Sequence, residues 1–114
     1  MAWTPANSLL TNPIVLEVFN ADVTVSATPV IVKTITVTAA TAGDRFYLKT
    51  KAASEAASGG TIPRVVVDMG IAVAKETEIL DFGDGGFEFE SLYFDTSDPT
   101  HGLAAGDRVL IYLK

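Results

Sequence analysis

Ala42-Gly43-Asp44-Arg45-Phe46-Tyr47-Leu48-Lys49 and, at the far end of the chain, Ala105-Gly106-Asp107-Arg108-Val109-Leu110-Ile111-Tyr112-Leu113-Lys114 are two copies of one local design. The tetrapeptide Ala-Gly-Asp-Arg opens each copy, and Leu-Lys closes it. Glycine supplies positive φ without steric penalty and aspartate turns its carboxylate back onto the backbone, so the pair reads as a turn. After the first turn, Phe46 and Leu48 alternate with Arg45, Tyr47, Lys49 and Lys51; after the second, Val109, Ile111 and Leu113 alternate with Arg108, Leu110, Tyr112 and Lys114. Successive side chains of a strand point to opposite faces. Both segments therefore predict half-buried strands that share a basic, aromatic outer face over an apolar inner one.

Outward from these strands the chain keeps the same habit. Pro13 to Phe19 reads as a strand, Asn20-Ala21-Asp22 as a turn, and Val23-Thr24-Val25 as the next strand. Pro29 to Thr38 places Ile35 and Val37 inward and Thr34, Thr36 and Thr38 outward; Lys33 breaks the register with Ile31, which predicts a bulge or bend. Ile62 to Met69 reads as a buried strand through Val65, Val66 and Val67, followed after Gly70 by Ile71 to Ala74. Thr77 to Phe82 is a short strand closed by Gly83-Asp84-Gly85-Gly86. In Phe87 to Asp95 the inward phase changes from Phe87 and Phe89 to Leu92 and Phe94, which predicts a bulge near Ser91. Ala52 to Thr61, rich in Ala, Ser and Gly, reads as a loop with one helical turn over Ala53 to Ala57, and Asp95 to Gly106 as a second loop.

Eight or nine short strands between turn signals predict an all-β fold, an antiparallel β-sandwich of jelly-roll or related Greek-key kind. Residues 13–114 form the sandwich and residues 1–12, bracketed by Pro5 and Pro13, an extended N-terminal arm. The expected core holds Phe46, Leu48, Val65, Val67, Val109, Ile111 and Leu113.

At 114 residues the chain is one domain, large enough to bury a core without staples. With no cysteine it has neither a disulfide framework nor a thiolate metal site. Met1-Ala2-Trp3-Thr4-Pro5 lacks the charged start and apolar run of a signal peptide, and no stretch reaches transmembrane length, so synthesis in a cytoplasm is the expectation and a membrane partner is not. A net charge of -6 argues against nucleic acid as partner. The acids are also segregated: Glu76, Glu78, Asp81, Asp84, Glu88, Glu90, Asp95 and Asp98 lie together with no Lys or Arg among them, which predicts an acidic face.

No motif carries chemistry. Asp81-Phe82-Gly83 matches the kinase magnesium motif by chance, because the chain has none of the accompanying loops. EF-hand spacing from Asp81 would put Gly83 and Leu92 at ligand positions, so a solvated turn is favoured over a calcium site built from Asp81, Asp84 and Glu88. His101 is the single histidine, and Ser97, Asp98 and His101 lack a nucleophile elbow. Glu88 and Glu90 share one strand face, but a glycosidase needs two carboxyl groups across a cleft. The expectation is a non-enzymatic protein with no catalytic residues, metal or cofactor.

Trp3, Leu9 and Leu10 are the arm's apolar residues, which either cap their own sandwich or lie on a neighbouring subunit. Together Lys33-Thr34-Ile35-Thr36-Val37-Thr38, Ala42 to Leu48, Asp81 to Gly86 with Leu92-Tyr93-Phe94-Asp95, and Val109 to Leu113 resemble, in style rather than by a diagnostic motif, the small all-β proteins that decorate or cement the capsids of tailed bacteriophages. The resemblance covers Thr28 to Lys114 and implies a virion protein made in the host cytoplasm. It implies a homo-oligomer, often a trimer, that binds and stabilises the outer capsid surface through the major capsid protein or another virion protein. The residues expected to meet the partner are Trp3, Leu9, Leu10, Arg45, Tyr47, Lys49, Arg108, Tyr112 and Lys114. A phage tail or baseplate adaptor is one alternative; a carbohydrate-binding β-sandwich module, using Tyr47, Tyr93 and Tyr112, is the other.

Overall fold

The computed structural model describes residues 6–50, 65–94, 102–104 and 106–114. Among these the strands are β1 (Ile14–Leu16), β2 (Val23–Ser26), β3 (Val30–Thr38), β4 (Arg45–Lys49), β5 (Val65–Gly70), β6 (Thr77–Asp81), β7 (Phe87–Phe89), β8 (Leu92–Phe94) and β9 (Arg108–Leu113). Both strands launched by Gly-Asp are present, as β4 and β9. Their turn glycines share one backbone conformation, φ 97° at Gly43 and 98° at Gly106, a region that side-chain-bearing residues rarely occupy. Trp3, Lys51, the Ala52 to Thr61 loop, the start of the Ile62 strand, and Asp95 to His101 with Ser97 and Asp98 lie outside the described residues.

The strands pair antiparallel in two sheets that face each other across the core. The first sheet runs β1-β9-β3-β6 with β7 also on β3, and the second runs β2-β8-β4-β5. β6 and β7 follow one another along the same side of β3, Asp81 opposite Thr34 and Phe87 opposite Val32. They act as one strand whose middle, residues 82–86, loops out. The Lys33 irregularity sits at that point: the pairing of β3 with β9 shifts register between Val32 and Thr34, and the Lys33 carbonyl accepts the Phe82 N–H at 2.8 Å. With β6 and β7 counted together, the order of the two sheets is that of a jelly roll.

Inward residues of both sheets meet in one core. Ile14, Leu16, Val32, Ile35, Val37, Val109 and Ile111 from the first face Val25, Phe46, Leu48, Val67, Met69, Leu92 and Phe94 from the second, all buried. Phe94 stacks on Phe46 with ring centres 5.9 Å apart and takes the edge of Phe19 at 5.7 Å. Such ring pairs add about 0.5–1.5 kcal/mol each beyond the area they bury.

Several expectations need correction. Val65 is 40% exposed, because the β4–β5 register shifts between Leu48 and Lys49 and turns the start of β5 outward; Val66 packs on the core in its place. Leu113 is half-buried against the core. The phase change near Ser91 is no bulge: β7 belongs to the first sheet and β8 to the second, so the chain crosses the sandwich there and both phases point inward. Ile71 is buried but lies in a connection with the exposed Ala72 to Ala74 rather than in a strand.

Side-chain polar groups close the ends of the sandwich. The buried Asp107 carboxylate accepts the Ala40 N–H at 3.0 Å and the Ala104 N–H at 2.9 Å, tying the approach to β4 to the approach to β9. Gly102 packs on the same junction, where an added Cβ would lie 2.5 Å from Asp44 Oδ1. At the β1 edge, Ser8 and Val15 exchange backbone hydrogen bonds of 2.8 and 2.9 Å. Asn7 Oδ1 accepts the N–H groups of Glu17 and Val18 at 2.9 and 3.0 Å, and the Asn12 amide both donates to and accepts from the Leu113 backbone. The described part of the arm is thus stitched to the chain's own sandwich.

Urea unfolding checks this account. Asp107→Ala leaves two backbone donors without their acceptor and should lose about 1–3 kcal/mol. Ile111→Ala, a core truncation, should lose about 2–5 kcal/mol.

Candidate interaction surfaces

The residues nominated from sequence do not form one face. β4 lies in the second sheet and β9 in the first, so their outward side chains point to opposite sides of the molecule. Arg45 and Tyr47 lie on the outer face of the second sheet, Arg108 and Tyr112 on that of the first. Lys49, expected outside, is only 2% exposed, since the register shift beside it buries two successive residues, Leu48 and Lys49. Leu9 packs against the core while Leu10 is fully exposed, and Lys114 is exposed with its N–H bonded to the Ile31 carbonyl. The three tyrosines divide in the same way, with half-buried Tyr47 and Tyr93 on the second sheet and Tyr112 on the first.

Both nominated arginines, Arg45 and Arg108, are engaged within the chain. Arg45 Nη2 donates to Asp68 Oδ2 at 2.6 Å, and its guanidinium carbon lies 5.3 Å from the centre of the Tyr47 ring. The Asp68 hydrogen bond first, and its negative charge second, push the Arg45 guanidinium further above its ordinary range. Arg108 donates through Nε and Nη2 to Glu17 Oε2 at 2.9 and 2.8 Å, holding a carboxylate whose side chain is only 10% exposed.

Two other surfaces stand out. On the outer face of the first sheet, cross-strand register aligns Val15, Leu110, Thr36 and Ile79 in one uncharged row over β1, β9, β3 and β6. Ile79 is 65% exposed at its end, and the next row holds Tyr112, Thr34 and the acid Asp81. The second surface is the side of the sandwich where β5 and β6–β7 are the outermost strands. There a groove of about 430 Å³ opens between the sheets, lined by Thr50, Val65, Val66, Phe87, Glu88, Phe89 and Glu90. Phe87 reaches it from the inward side of β7, yet stays 55% exposed, with no further strand over that edge among the described residues. Its ring centre lies 4.9 Å from Phe89 and 6.1 Å from Phe82.

The acidic segment follows that second surface. Glu76, Glu78, Asp81, Asp84, Glu88 and Glu90 lie on β6, β7 and their flanks, and no Lys or Arg falls between Glu76 and Phe94. Glu78 accepts the Ala72 N–H, and Asp81 accepts the Gly83 N–H to close its turn. Among the described residues no three His, Asp or Glu side chains are placed to hold a metal ion. Sequence reasoning placed the acids but missed Ile79 as a surface residue. Its signal was the pair Ile79-Leu80, apolar on both faces of one strand. Comparison with protein-family models, with curated proteins and with solved structures gives no match.

The two ion pairs should behave differently on truncation. Arg108→Ala leaves the Glu17 carboxylate nearly buried without its donors and should lose about 1.5–3 kcal/mol in urea unfolding. Arg45→Ala breaks a solvent-exposed pair and should leave the midpoint within error.

Proposed function

We propose that the chain is a non-enzymatic structural protein of a tailed-bacteriophage virion, of the decoration or cement type, which binds and stabilises the outer capsid surface. The observation that carries this reading is the uncharged row Val15–Leu110–Thr36–Ile79 across β1, β9, β3 and β6 on one sheet face, in a protein whose net charge is -6. A flat face of this kind fits a protein surface better than a small molecule, which is held in a concave site with convergent polar groups. The jelly roll also suits the role, being an architecture common to viral shell proteins and lectins. The partner in this reading is the major capsid protein or a neighbouring virion protein, and assembly as a homo-oligomer, a trimer at a local symmetry axis, would repeat the contact.

Occupancy on purified particles of the encoding virus tests the proposal. The wild-type chain should bind and raise the temperature at which the particles rupture. Ile79→Lys puts a charge into the uncharged row at an exposed position, so occupancy should fall by about tenfold or more while the isolated domain unfolds at the same midpoint. Binding on a glycan array with no affinity for particles would replace the proposal with the carbohydrate-binding reading. Label confined to the tail in immuno-electron microscopy would replace it with the adaptor reading.

A further inference from the structure

The edge bounded by β5 and β6–β7 gathers three properties found together nowhere else among the described residues. It is apolar: of the six large hydrophobic side chains described as exposed, Val65, Val73, Ile79 and Phe87 belong to these strands or to the β5–β6 connection. Among the described residues it is unpaired: β5 and β6–β7 end their sheets, whereas the β1 edge is covered by Ser8. It is also acidic, with Glu78, Asp81, Glu88 and Glu90 on or beside its strands and no Lys or Arg between Glu76 and Phe94; the connection before them carries one base, Lys75.

We propose that this open edge is the docking site for an extended basic segment of another protein, one of whose Lys or Arg side chains enters the groove between Val66 and Phe87. The groove fits such a side chain along its length. Val65 and Val66 offer apolar surface to the aliphatic stem, and the exposed Phe87 ring, backed by Phe89, offers a face to the cation. Glu88 and Glu90 at the rim supply carboxylates for charge-assisted hydrogen bonds. The unpaired edge lets the rest of the segment add as a strand, with backbone bonds giving affinity and alternate side chains giving choice. A second copy of this chain is a poor occupant, because edge-to-edge pairing would set these acids against their equals. The inference rests on the capsid reading and adds to the uncharged row a second contact, at the edge beyond the row's Ile79 end, with the chemistry of the segment it takes.

The test uses the full chain and a synthetic heptapeptide of alternating Lys and Val, with a Glu and Val heptapeptide as control. Titration at low salt should show binding of the basic peptide alone, weakening as salt screens the rim. Phe87→Ser and the double change Glu88→Gln with Glu90→Gln, all at exposed positions, should each weaken it by about tenfold. Tyr112→Ser, on the outer face of the first sheet away from the groove, should not. Equal binding of both peptides, or affinity unmoved by the Phe87 and glutamate changes, overturns the inference. Particle occupancy of the same variants separates it from the broader reading. Variants that lose the peptide but keep full occupancy overturn this docking site and leave the capsid role standing; peptide binding without any particle occupancy sustains the site and removes the capsid role.

Discussion

The pairing of β3 along both its sides is the constraint from which the rest of the sandwich follows. One side bonds β9 from Val32 to Thr38, and the other bonds β6 and then β7. A strand without a free edge buries its β-branched inward residues completely, and Val32, Ile35 and Val37 are each 0% exposed. The irregularity at Lys33 then decides where β6 yields to β7. Because β7 stops after Phe89, the chain must cross to the second sheet there, and Leu92 and Phe94 enter the core from the opposite side. Phe94 in turn sets the position of Phe46 and Phe19.

Much of this was legible in the sequence, and the exceptions share a physical cause. Period-two alternation identifies which side chains share a face of one strand, and it correctly named Phe46, Leu48, Val67, Val109 and Ile111 as core. It carries no information on which sheet a strand joins. The two Gly-Asp strands therefore looked like neighbours with a common basic face, although they lie on opposite sides of the core. The same blindness made the crossing at Ser91 resemble a bulge. A bulge that was real, beside Lys49, left no trace in the alternation and reversed the expected exposure of Lys49 and Val65. The ion-pair partners were illegible for a further reason: Glu17 lies 91 residues from Arg108, and Asp68 lies 23 from Arg45.

The two sides of the sandwich treat their edges in opposite ways. At β1, the Ser8 backbone bonds Val15, the Asn7 amide takes the N–H groups of Glu17 and Val18 just past the strand, and the Asn12 amide continues the pairing onto Leu113 of β9, which removes a template for pairing. At β5 and β6–β7, nothing among the described residues does so, and the chain carries carboxylates there instead. Charge along an edge discourages association between identical copies. In the docking proposal the same carboxylates would leave the edge open to a strand of opposite sign, so that one feature opposes edge-to-edge pairing of copies and favours a basic segment.

That asymmetry can be read directly by residue-resolved hydrogen exchange on the free protein and on the protein bound to particles. Exchange slows where an amide is bonded and opening requires unfolding. In the free protein, the amides of Val15, Glu17, Val18 and Leu113 should be protected although they lie at strand ends or beside the first sheet's β1 edge, while the outward amides of β5 and β6 should exchange rapidly. On particles, the β5 and β6 amides should become protected and the others should not change. Equal protection of both edges in the free protein, or particle-induced protection confined to β1 and β9, would contradict the account.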